Sequence, residues 1–138
     1  MKIVLDTNVL IAAFATQGLC HAIVELCLDQ QEMILSEAIL DEVAKALKTK
    51  LKVPSIAIQD VRQYLKGHAS IFDIKQLFRK ISRDPSDDHI LALAEESKAD
   101  YIITGDQDLL ILKRHEEIPI IQPRQFWEIL KMKEKESR

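Results

Sequence analysis

Glycine and proline are scarce, with 3 and 4 residues in a chain of 138. That excludes a collagenous, linker-rich or disordered chain, and no segment repeats at a fixed period, which excludes a repeat array. Long apolar runs are missing too. Stretches such as IVL and YIIT fall far short of the roughly 20 residues that span a bilayer, so no membrane partner is expected. Cysteine is limited to Cys20 and Cys27, seven residues apart in a helical pattern. They read as two buried thiols on one side of a helix. A zinc site would need closer pairing and more ligands, and His21, His68, His89 and His115 are scattered. An excess of positive charge is also absent, the net charge being −3. That balance neither announces nor excludes a nucleic-acid binder, because a carboxylate-built cation site adds negative charge that bound metal reverses. The basic clusters around Lys45 to Lys52, Arg79 to Arg83 and Lys131 to Lys135 read individually as solvated helix ends.

What is present is apolar material for one core, at 47% hydrophobic residues. The chain reads as a single domain over 1–130 followed by a polar tail, 131–138 (KMKEKESR), expected to fray. The opening Met1-Lys2-Ile3-Val4-Leu5 reaches Asp6 too early for a secretory h-region, which gives a cytoplasmic location as the expectation.

The runs KIVL (2–5) and DYIIT (100–104) read as buried strands, each leading to an acid, Asp6 and Asp106. Met33-Ile34-Leu35 reads as another strand, closed by Ser36 as a helix cap. Ile118 to Ile121 reads as an edge strand, because Pro119 donates no ladder hydrogen bond. Helical spacing covers Asn8 to Phe14, Leu19 to Leu28, Ile39 to Leu47 and Ile56 to Leu65, with a closing helix after Pro123. Ile71 to Ile81 fits helix or short strand equally. Strands alternating with helices imply a mostly parallel sheet covered on both faces, an α/β sandwich.

In such sheets ligands bind beyond the carboxyl ends of the strands, where strand order reverses. Asp6 and Asp106 stand at two such ends. A third acid comes from Asp84-Pro85-Ser86-Asp87-Asp88, at the start of a helix. Acids in a first turn ordinarily cap amides, but three in five residues exceed what a cap needs. Asp88, on the border of the packed face, is the best placed. Glu42 lies in the helix after Ser36, where spacing alone barely separates it from Asp41 and Glu37. Hard cations take oxygen ligands, and clustered carboxylates that repel one another become sensible once cations sit between them. No histidine base and no serine or cysteine nucleophile is then required.

The segment IVLDTNVLIAAF resembles the first motif of PIN domains, and RDPSDDHILALAEESKADYIITGDQDLL resembles the third and fourth. IPIIQPRQFWEIL is similar to the closing strand and helix of the bacterial and archaeal subgroup of VapC-like toxins from toxin–antitoxin systems. The resemblance implies a three-layer α/β/α sandwich with a central, mostly parallel sheet of four to five strands. It implies that Asp6, Glu42, Asp88 and Asp106 hold Mg²⁺ or Mn²⁺ and act in RNA cleavage. Asn8 and Thr104 match supporting polar positions, Asp108 matches an accessory acid, and Asp84 and Asp87 belong to the local RDPxDD pattern. A homodimer and a cognate antitoxin are implied as well. Two other readings stay open. One is a PIN module that binds RNA or protein without cutting. The other is a haloacid-dehalogenase-like phosphatase, which needs a second Asp where this chain has Asn8.

Overall fold

The computed structural model describes residues 1–16, 18–72 and 85–136. Strand β1 (Lys2–Leu5) is apolar along Ile3, Val4 and Leu5, and all three are fully buried. That is the state of a parallel strand covered on both faces, where alternation gives way to a continuous apolar run. The chain passes through α1 (Thr7–Ala15) and α2 (Leu19–Gln30) to β2 (Glu32–Leu35). Ser36 then caps α3 (Glu37–Thr49), its Oγ accepting the Ile39 N–H at 3.2 Å and satisfying an amide of the first turn that has no helical partner. Helix α4 (Ser55–His68) leads to β3 (Ser70–Ile71). After the next described residue, Pro85, come α5 (Pro85–Ser97), β4 (Tyr101–Ile103), α6 (Gln107–Leu110), β5 (Arg114–His115), β6 (Ile118–Ile121) and α7 (Pro123–Glu136).

The strands form one sheet in the order β3-β2-β1-β4-β6-β5, parallel throughout except for β5, which runs antiparallel to β6. With helices on both faces this is the expected three-layer α/β/α sandwich. The strand count exceeds four to five because β3 and β5 are two residues long, too short to carry an apolar pattern. The chain builds outward from β1 through β2 to β3, then returns to add β4 and β6 on the other side. Strand order therefore reverses between β1 and β4, and their carboxyl ends border the crevice where such sheets bind ligands.

Three local expectations are corrected. Ile118–Ile121 is not an edge strand, since β5 covers its outer side. Pro119 is tolerated there because it precedes the first β4–β6 partner pair, Ile102 with Ile120. Helix α7 runs through the supposedly fraying Lys131–Glu136. Lys131 stacks 4.6 Å from the Trp127 ring centre and pairs with Glu134 at 3.7 Å, which lets a polar segment continue the helix. Of the two thiols, Cys27 is buried and Cys20 only partly so, and both are free.

The shortage of glycine has a visible cost. Lys52, Lys98, Lys113, Glu116 and Glu117 occupy left-handed backbone, whereas none of the glycines does. Each such residue is strained by about 1 kcal/mol. No single described helix is long and apolar enough to cross a membrane.

Candidate active site

Asp6 is delivered to the crevice by β1 and tied to β4, its backbone N–H donating to the Ile103 carbonyl at 3.0 Å. It stands immediately before α1, and its carboxylate meets only the first amide of that helix, at Thr7, without the usual cap bond deeper in the first turn. Instead Asp6 Oδ2 accepts from the Thr104 hydroxyl at 2.7 Å, and Thr104 is completely buried. The same Thr104 oxygen accepts the Asp106 N–H at 3.0 Å, so one hydroxyl links both strand ends.

Burial pushes the proton affinity of Asp6 above the usual carboxylate range, and the nearby charges of Asp106 and Glu42 push the same way. The hydrogen bonds from Thr104 and the Thr7 backbone oppose that shift without cancelling it. Glu42 reaches the crevice from α3 because the Thr7 hydroxyl donates to its Oε2 at 2.8 Å. Asp106 caps α6, but the Asp108 N–H engages only its Oδ1, at 2.9 Å. The cap therefore accounts for half of that carboxylate.

Asp88 is buried in the first turns of α5. Its neighbour His89 contacts Ser36 Oγ through Nε2 at 2.7 Å, which pins this helix start to the residue that follows β2 and caps α3. Burial lowers the proton affinity of His89, opposed by the charge of Glu42. Asp106 and Glu42 thus act electrostatically on Asp6, whereas among the described residues no three of Asp6, Glu42, Asp88 and Asp106 bring ligand atoms within 4.8 Å of one another. Asp88 is placed near this edge by the contact of its neighbour His89 with Ser36. Asn8 is exposed on α1, while Thr7 and Thr104 hydrogen-bond Glu42 and Asp6. Asp108 is partly buried beside Asp106, Asp84 lies outside the described residues, and the side chain of Asp87 does too.

The sequence reading missed Thr7, Ser36 as a bridge, and His89. Thr7 was visible in the DTN triplet and His89 in DDH. Their partners, 35 and 53 residues away, were not.

The donor set suits a hard divalent cation. Among the described residues, Asp6, Glu42 and Asp106 have no ion-pair partner, so a buried carboxylate faces two further acids with no side-chain cation to offset them. A metal held by oxygen ligands would offset that charge.

Fold and site together define an α/β/α sandwich with an acidic crevice at the reversal point of its sheet. The PIN domain family profile matches residues 2–108, and the chain belongs to that family. Among solved structures it is similar to VapBC2 from Rickettsia felis bound to a DNA fragment from their promoter, with a TM-score of 0.61 and 16% identity over 88% of this chain and 98% of that one. No curated protein sequence matches.

Proposed function

We propose that this protein is a ribonuclease dependent on Mg²⁺ or Mn²⁺ and the toxin of a toxin–antitoxin pair, acting in the cytoplasm as a homodimer. The observation that carries the reading is Asp6, a buried carboxylate with raised proton affinity between two other acids at the sheet's reversal point. Asp6, Glu42, Asp88 and Asp106 hold the cation. When bound, that cation lowers the pKa of a water and offsets charge on the scissile phosphate.

The remaining work belongs to the chain. Thr104 fixes the Asp6 carboxylate and the Asp106 backbone together, so the two ligands move as a unit. Thr7 holds Glu42, which would otherwise sweep a wide arc from α3. Asp108 is an accessory acid that lengthens the negative rim beside Asp106. Family membership supports nuclease activity, and the likeness to VapBC2 supports an antitoxin partner. The phosphatase alternative lacks its second acid, because Asn8 stands in that place.

The test is RNA cleavage by the full chain in Mn²⁺ or Mg²⁺, beside the Asp6→Asn variant. Cleavage by the wild type alone is expected. Protein that cuts no RNA under any metal condition, and whose effect in cells is unchanged by Asp6→Asn, is a binding module instead.

A further inference from the structure

We propose that Glu95, His115 and Glu116 form a second divalent-cation site, for a transition ion such as Zn²⁺, at the opposite end of the sheet. The inference does not depend on the nuclease reading. One ligand atom from each of these residues lies within 4.8 Å of the other two. Glu95 comes from the last turns of α5, while His115 and Glu116 come from the β5–β6 hairpin. This hairpin precedes β6, and α5 there approaches the start of β4, so the triad sits at the amino ends of the parallel strands. Along α5, Glu95 is about 10 Å from Asp88, at 1.5 Å rise per residue. One ion cannot serve both places.

His115 is only 8% exposed, and its Nε2 lies 2.5 Å from Glu95 Oε1. A hydrogen bond between the two accounts for that contact, and Glu116 brings a third ligand atom to it. The turn is two residues long, with His115 opposite Ile118, and both of its residues have positive φ, 50° at Glu116 and 71° at Glu117. That is the type I′ geometry which asparagine and glycine ordinarily fill. Here it is filled by two glutamates, and the strained backbone at Glu116 brings its carboxylate to the His–Glu pair. Glu117 is occupied otherwise, pairing with Arg114 at 3.7 Å.

One imidazole and two carboxylates make a borderline donor set that favours Zn²⁺ over Mg²⁺. Tetrahedral bonds of about 2.0–2.2 Å place ligand atoms about 3.3–3.5 Å apart. The ion would therefore take the place of the hydrogen between His115 Nε2 and Glu95, the neutral imidazole then carrying its proton on Nδ1, and spread that pair by under about 1 Å. Three protein ligands leave a fourth position open. Glu95 and Glu116 also line a cleft of about 590 Å³ with Lys98, Ala99, Glu117 and Ile118, from which water could complete the shell.

The experiment titrates Zn²⁺ by calorimetry into the full chain carrying Asp6→Asn and Asp106→Asn, which removes two charged ligands from the acidic crevice, and repeats it with Glu116→Gln, His115→Gln or His21→Gln added. His21 is the control: it pairs with Glu25 at 3.0 Å but belongs to no third-ligand group. Glu116→Gln is expected to weaken Zn²⁺ at least about tenfold and His115→Gln to abolish this binding, while His21→Gln changes nothing. Co²⁺ should give visible absorption bands that disappear with His115→Gln. Glu116 is exposed, so its substitution keeps the proposal testable even if the buried His115 variant misfolds. No Zn²⁺ uptake by the parent at micromolar concentration, full affinity in Glu116→Gln, or loss of binding in His21→Gln overturns the site.

Discussion

Thr104 Oγ1 lies 2.7 Å from Asp6 Oδ2, a contact that exists only because β1 and β4 are neighbours in the sheet. It is a buried hydroxyl with two obligations, since it also accepts the Asp106 N–H. Thr104→Val keeps the shape and removes both bonds, leaving a carboxylate oxygen and an amide unsatisfied. The expected cost is about 1–3 kcal/mol in denaturant unfolding, with cleavage falling as well. Thr104→Ser should restore most of both.

Asp6 gives the opposite balance of stability and activity. Its folded-state pKa is raised, so its contribution to stability is fully present below the unfolded pKa and is lost as pH rises through the folded value. At neutral pH, without metal, the charged carboxylate is a cost. Asp6→Asn should therefore leave the metal-free melting temperature equal or higher, and flatten its fall with pH above about 4. Cleavage should drop at least about 100-fold, corresponding to several kcal/mol of lost transition-state stabilisation. A large loss of metal-free stability in this variant would count against the site.

Ser36 serves two partners, the Ile39 amide and His89. Ser36→Ala should cost about 0.5–2 kcal/mol as a lost cap. In a double-mutant cycle with His89→Ala the two changes should couple by at least about 0.5 kcal/mol, because they share one contact. Additive effects would show that the Ser36–His89 bridge contributes nothing to holding the start of α5 at the end of β2.

Burial pushes the Cys27 thiol up to about 12, from a model-compound value of 9.0. For a group raised in this way the contribution to stability is complete below pH 9 and disappears between pH 9 and about 12. Denaturation curves of the wild type should lose more stability across that interval than those of Cys27→Val. In the folded protein Cys20, which is partly exposed, should react with a thiol reagent well before Cys27.

How much of this could be read from the residues depends on the range of the interaction. Asp6 and Asp106 were legible because a short apolar run ending in an acid signals a strand and its exit, and both facts are local. Helices α1 to α4 followed from periodicity in the same way. Glu42 was not separable from Asp41 and Glu37 by spacing, since what selects it is the Thr7 hydroxyl arriving from another helix. Asp41 and Glu37 instead share Arg62 of α4, a pairing equally invisible to periodicity. Strands β3 and β5 escaped because two residues have no period. Pro119 misled because it marks a missing donor without saying whether a neighbour needs it.

The brevity of β5 has one more effect. Left-handed residues bracket it, Lys113 with φ 65° before and Glu116 with φ 50° after, so the strand cannot lengthen in either direction. An incoming chain finds too few free amides and carbonyls at this border to lay down a further strand, and growth of the sheet into fibrils or swapped assemblies stops there. Whatever associates with the molecule on this side has to grip side chains instead of backbone.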